Sequence, residues 1–220
     1  MPVNAYETQL TAQQVEAGLH RAFVGGLWDV IGPLQADYLI SRGLKPGHRL
    51  IDMGCGALRG GVNFARYLDA GHYYGVDINA SLIAAGRLEA AAAGLADKRL
   101  NLAVSNSFDA TGWDVKFDYG IAQSLFTHLT HELIGQCLSQ LRKVMNGPFY
   151  ATYFEAPHDG YGDDITHPQG TVTHYLQDPY HISFDELSAL ANQSGMTAER
   201  IGAWGHPKSQ SMAVFRPSTD

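Results

Sequence analysis

The sequence predicts an α/β fold wound on a mostly parallel sheet, and three observations predict it. Short apolar runs alternate with longer segments of helical periodicity between residues 49 and 155, the pattern of parallel strands joined by helical crossovers. The run Leu50-Ile51-Asp52-Met53 enters a glycine-rich turn, Gly54-Cys55-Gly56-Ala57-Leu58-Arg59-Gly60-Gly61. The next run, Tyr73-Tyr74-Gly75-Val76, ends on the carboxylate of Asp77.

Each element follows from its own signals. Val15, Leu19, Ala22 and Phe23 fall at helical spacing behind Thr11, which predicts a capped helix over 11–24, and Pro33 opens a second helix over 33–41. Strands are expected at 49–53, 73–77, 100–105, 117–123 and 149–155, with helices at 60–68, 81–93 and 131–145 between them. Thr130 is the expected cap of the last helix, with Glu132 in its first turn. Residues 156–182 carry Gly, Pro, Asp and His without periodicity, as a lid or binding segment does. A helix at 184–193 and strands at 198–204 and 211–215, turning at Pro207-Lys208-Ser209-Gln210, close the chain.

Composition narrows the class. With 220 residues, 45% of them hydrophobic and 17% charged, one well-buried domain is expected over 1–220. Its parts are N-terminal helices (1–48), a cofactor-binding core (49–155), an acceptor-side segment (156–182) and a closing helix and hairpin (183–220). A net charge of −7, with no basic stripe among the 15 Lys and Arg residues, argues against nucleic acid. No apolar run approaches the roughly 20 residues that cross a bilayer, so no membrane partner is expected. Two cysteines in separate elements, Cys55 and Cys137, and no secretory leader pattern imply a reduced cytoplasmic setting. The N-terminal apolar helix suits either a homodimer contact or packing on the chain's own sheet.

The glycine turn reads as a nucleoside-cofactor site. Glycines let the backbone approach a ligand, and a carboxylate ending the next strand accepts two ribose hydroxyls. A dinucleotide fingerprint needs Gly-x-Gly-x-x-Gly, and Arg59 occupies its third glycine position. Asp52 would lie badly beside a pyrophosphate but well beside an ammonium, which favours S-adenosylmethionine over NAD.

On Asp52, Gly54, Gly56 and Asp77 the chain resembles the class I S-adenosylmethionine-dependent methyltransferases, whose first motif is acidic-x-Gly-x-Gly-x-Gly. The third motif glycine falls on Leu58 here. Gly54-Cys55-Gly56-Ala57-Leu58-Arg59-Gly60-Gly61 and the late Gly205-His206-Pro207-x-x-Gln210 resemble a bacterial small-molecule subgroup. The resemblance implies a single-domain Rossmann-like methyltransferase fold. It would have seven mostly parallel strands, an antiparallel C-terminal strand and helices on both faces. It also implies S-adenosylmethionine as cofactor. Gly54, Cys55 and Gly56 would meet the methionine part, Asp77 the ribose, and Ile78 and Asn79 the adenine side. Asn106, with Ser107 and Phe108, would meet the adenine amino group. Trp28 would seal the cofactor from water or else cover a sheet edge. Arg59 would contact a carboxylate or else form a surface salt bridge.

The stretch from Ala122 to Leu129 faces the transferable methyl and the acceptor in this reading, with Gln123 on its cofactor side. Methyl transfer is an in-line displacement needing mainly alignment, but a hydroxyl acceptor must also lose a proton. His128 is the candidate base, with Glu155 and His158 at the acceptor entrance. Ten histidines crowd toward the second half, yet none forms a paired ligand motif, so no metal is expected. The expected activity is methylation of a small polar acceptor, on oxygen. N-methylation of a small amine, a non-catalytic cofactor-binding subunit and a nicotinamide-dependent oxidoreductase are the competing readings.

Overall fold

The computed structural model describes residues 5–157 and 162–218, and its contacts divide the chain into two compact units, Met1–Asn106 and Ser107–Asp220. The first unit runs through α1 (Ala12–Glu16), α2 (Leu19–Phe23), α3 (Trp28–Ser41), β1 (Leu50–Met53), α4 (Gly61–Tyr67), β2 (Tyr73–Asp77), α5 (Ala80–Ala92) and β3 (Asn101–Val104). Its strands are parallel: Leu50 pairs with Tyr73, and Tyr74 with Asn101. Every residue of β1 and β2 is buried, the near-continuous apolar reading of strands covered on both faces.

The helix expected over 11–24 is two short helices. Thr11 caps α1 in a reciprocal box with Gln14, but Gly18 takes φ 74° and ends the run. A left-handed glycine just past a helix end is the usual stop signal, and it outweighs the apolar spacing that continues beyond it. The second helix begins at Trp28 rather than at Pro33, which lies inside α3. Asp29 in its first turn favours the earlier start electrostatically.

The second unit contains β4 (Tyr119–Ala122), α6 (His131–Val144), β5 (Phe149–Glu155), the two-residue strands β6 (Ile165–Thr166), β7 (Val172–Thr173) and β8 (His181–Ile182), α7 (Phe184–Gln193), β9 (Met196–Ala203) and β10 (Ser211–Pro217). Strand β4 runs parallel to β5, while β10 pairs antiparallel with β5 on one side and β9 on the other. The closing hairpin is therefore as expected. Residues 162–182 are more ordered than their composition suggests: β6 and β7 form a small hairpin, and β8 extends the end of β5 in parallel. Thr130 caps α6, and Ile134, Cys137, Leu138, Leu141 and Val144 form its buried stripe. Both cysteines are free and buried.

Candidate functional site

In the first unit the glycine turn and Asp77 form one hydrogen-bonded assembly. Gly54 (φ 74°) and Gly56 (φ 52°) take left-handed backbone, which only glycine adopts without strain. The N–H groups of Gly54 and Cys55 both donate to Val76 O, at 2.8 and 3.0 Å, which locks the turn onto the end of β2. Gly56 N donates to Asp77 Oδ2 at 2.7 Å, and Asn79 N donates to Asp77 Oδ1 at 2.8 Å. Burial raises the Asp77 pKa against these opposing backbone hydrogen bonds. Ile78 follows with its side chain 37% exposed, an apolar surface directly beyond the carboxylate.

Asp52 differs from the free charge that the sequence suggests. It is 3% exposed, and Tyr73 Oη donates to its Oδ2 at 2.7 Å. Burial, opposed by that hydrogen bond and aided by the Asp77 charge, pushes its pKa up to about 7. Tyr73 reaches it because Gly61 has no side chain: a Cβ there would lie 2.5 Å from the Tyr73 hydroxyl.

Four sequence-selected residues are held by other work. Asn79 is fully buried, caps α5 by accepting from Ser81 N and Leu82 N, and donates through Nδ2 to Tyr6 O and Thr8 O. Its side chain clamps the N-terminal segment. Arg59 is 9% exposed, and its Nη1 donates to Val24 O and Gly26 O at 2.8 and 2.9 Å, so the surface salt-bridge alternative is wrong. Trp28 packs against the cluster of Val15, Ala57, Leu82 and Ala85 and lies under the Arg21 guanidinium at 4.8 Å, a covering role. Leu58, at the third motif glycine, keeps the left-handed backbone (φ 66°) that a glycine would supply. Asn106 ends this unit exposed, beyond β3.

A cleft of about 280 Å³ in this unit is lined by Arg21, Trp28, Asn63, Arg66 and Glu89 among others, and by none of the motif residues.

In the second unit Ser107 is exposed and Phe108 partly buried. The segment after β4 turns sharply: Ser124 takes φ 60°, and Thr127 Oγ1 donates to Ser124 O at 2.6 Å. That turn presents His128, whose Nδ1 lies 2.5 Å from Asp178 Oδ1, with both side chains about three-quarters buried. Asp178 has no motif in the sequence and sits 50 residues away; composition and spacing could not have selected it. Gln123 is buried among Ser124, His206 and Gln210. Glu155 is paired with Arg200 Nε at 2.6 Å, so the acid expected at the acceptor entrance is neutralised by β9. His158 lies outside the described residues.

Three further histidines of this unit are tied to neighbouring side chains. His167 Nε2 and His181 Nδ1 both meet Thr173 Oγ1, at 2.9 and 3.0 Å, and burial lowers the pKa of each. His174 pairs with Asp164 at 2.7 Å. Among the described residues no group of three or more His, Cys, Asp or Glu side chains is arranged to hold a metal ion. No helix among them is long and apolar enough to cross a membrane.

The architecture has counterparts among solved structures. The methyltransferase CcbJ from Streptomyces caelestis aligns over 100% of both chains at 16% identity with a TM-score of 0.68. Magnesium protoporphyrin IX methyltransferase from Synechocystis PCC 6803, solved with bound S-adenosylmethionine, aligns over 97% of this chain and 88% of its own at 14% identity and a TM-score of 0.63. The glycopeptide N-methyltransferase MtfA, also complexed with S-adenosylmethionine, covers 84% of this chain and 94% of its own at 13% identity and the same TM-score, 0.63. No curated protein matches the chain significantly. The fold is the Rossmann-like methyltransferase fold, with a mostly parallel arrangement of strands and an antiparallel C-terminal pair. Residues 51–147 match the family model of a methyltransferase domain.

Proposed function

We propose that the chain transfers a methyl group from S-adenosylmethionine to a hydroxyl of a small polar acceptor. The observation that carries the cofactor is the Asp77 carboxylate, aimed by Gly56 N and Asn79 N at the end of β2. An ionised carboxylate offers about four acceptor positions, so each oxygen keeps capacity for a ribose hydroxyl after taking its backbone donor. Ile78 supplies the apolar contact for adenine, and the left-handed turn at Gly54 and Gly56 brings backbone rather than side chains toward the methionine portion. The donor set suits a nucleoside that bears no phosphate, because among the described residues no cationic side chain accompanies Asp77 on its hydrogen-bonded carboxylate.

S-adenosylmethionine supplies an electrophilic methyl on a positively charged sulfur. The acceptor oxygen forms its bond to carbon as the carbon–sulfur bond breaks, and the hydroxyl proton passes to a base. His128 is that base. Asp178 accepts from His128 Nδ1–H, which fixes the tautomer and assigns proton transfer to Nε2.

The test is turnover of His128→Ala against hydroxyl and amine acceptor panels. Loss of about 10²- to 10⁴-fold in kcat on hydroxyls alone is expected for a general base. Equal loss on amines, or none on hydroxyls, would leave the base assignment wrong. Wild-type protein that binds S-adenosylhomocysteine yet methylates neither panel would support the binding-subunit reading.

A further inference from the structure

At the carboxyl end of β4 five neutral polar side chains converge. Gln123 Nε2 lies 3.0 Å from Ser124 Oγ, 3.0 Å from His206 Nε2 and 3.3 Å from Gln210 Oε1. Gln210 Oε1 also accepts from Thr152 Oγ1 at 2.7 Å and Ser124 Oγ at 3.0 Å, while Thr152 Oγ1 accepts from Ser124 N at 2.7 Å. Lys208 N donates to His206 Nδ1 at 3.2 Å, and Trp204 stacks on the same ring with centroids 5.5 Å apart. The loop 204–210 between β9 and β10 thus delivers His206 and Gln210, the motif residues to which methyl transfer assigns no role.

One atom of this network is left over. Gln123 is 8% exposed, and its Oε1 is buried with no hydrogen-bond partner. Leaving a buried amide end unpaired forfeits its hydration without return, so the group calls for a partner. The direction of the amide follows from the His206 ring. With Nδ1 accepting from Lys208 N, a neutral ring carries its proton on Nε2 and faces Gln123 with a donor, which favours turning the amide oxygen inward. In either orientation one end of the amide is buried and unpaired. A hydroxyl, both donor and acceptor, satisfies it both ways. The five side chains carry no formal charge in this arrangement, so an ammonium or carboxylate would be desolvated there without a counter-ion.

We propose that Gln123 reads the acceptor by hydrogen-bonding a second hydroxyl that is not methylated, which makes the substrate class a neutral polyol such as a sugar ring. This rests on the methyl-transfer reading. It also moves Gln123 from the cofactor side, where the sequence suggests it, to the acceptor side.

The experiment uses the full chain saturated with S-adenosylhomocysteine and, as probes, the methyl glycosides of glucose, galactose and rhamnose with their monodeoxy analogues. Binding is followed by saturation-transfer NMR. The wild type should bind at least one glycoside and lose about tenfold in affinity on removal of one particular hydroxyl, the scale of one hydrogen bond to a buried polar group. Gln123→Met should bind that glycoside and its deoxy analogue alike, with the affinity for S-adenosylhomocysteine retained. Gln123→Asn, which keeps the amide but withdraws it by one methylene, should give the same result if the Met variant does not fold. Absence of binding by every glycoside, or discrimination that survives both substitutions, overturns the proposal. So does loss of S-adenosylhomocysteine affinity with discrimination intact, since Gln123 would then serve the cofactor. Failure of the wild type to bind S-adenosylhomocysteine at all would instead refute the methyl-transfer reading itself.

Discussion

Leu58 and Gly86 fit one another: a Cβ placed on Gly86 would come 2.6 Å from Leu58 Cγ and 3.1 Å from its Cδ1. Leu58 stands in left-handed backbone where the methyltransferase motif has glycine, and its side chain is completely buried. The space for that side chain comes from glycines in α4 and α5, since a Cβ on Gly61 would also lie 2.8 Å from Leu58 Cδ2. An irregular motif is thus accommodated by residues outside it.

Gly86→Ala should therefore destabilise the protein, although alanine is the better helix former. Overpacking costs about 1 to 3 kcal/mol, against roughly 1 kcal/mol gained in helix propensity. Urea denaturation would show the midpoint falling, and Leu58→Ala in the Gly86→Ala background should restore part of the loss. Additive effects would mean that the two residues are not coupled.

Asp77→Ala should weaken S-adenosylhomocysteine binding by about 1 to 3 kcal/mol, since the ribose hydroxyls would lose their buried acceptor. Calorimetry measures this directly. Unchanged affinity would remove the ribose contact from Asp77 and with it the basis for the cofactor assignment.

Asp52 makes stability depend on pH. Its folded pKa, about 7, lies above the ordinary value of 3.8, so the folded state binds the proton more tightly than the unfolded chain. This group's contribution is therefore full below pH 4, declines as pH rises and is lost above about 7. Asp52→Asn should be more stable than wild type at pH 8, with the advantage shrinking toward pH 4. Cofactor binding should run the other way, strengthening in the wild type from pH 6 to 8 as the carboxylate ionises to meet the ligand ammonium. Denaturant titrations and calorimetry at several pH values check both; a wild-type stability profile parallel to that of Asp52→Asn would refute the buried titration.

Asp178→Asn should lower kcat on a hydroxyl acceptor while leaving its KM close to wild type, because the change alters how His128 is held rather than what the acceptor touches. About 10- to 100-fold is expected for loss of a supporting contact of this kind. A change confined to KM would place Asp178 in acceptor binding.

Sequence and structure agree most closely where packing dictates the residues. Strand β2 coincides with the expected 73–77 and β1 begins one residue late, because strands buried on both faces must be continuous apolar runs and glycine turns must end them. Thr130 and Thr11 announced their helices because a cap is a local hydrogen bond. The errors arose where a local signal competed with another: Gly18 divides the first helix, and Pro33 sits inside α3 rather than at its start.

The sequence by itself determined the alternating α/β order, the glycine turn and the acidic residue that answers it, because each is a local demand of backbone conformation or strand burial. Tertiary structure alone decided which polar groups are spent and which are available. Asn79, Arg59 and Glu155 look free in the chain but are bound to Tyr6, Val24 and Arg200. His128 acquires Asp178, and Asp52 acquires Tyr73 and a pKa near neutrality. Hydrogen bonding and desolvation depend on neighbours brought from far along the chain, and spacing in the sequence carries no record of them.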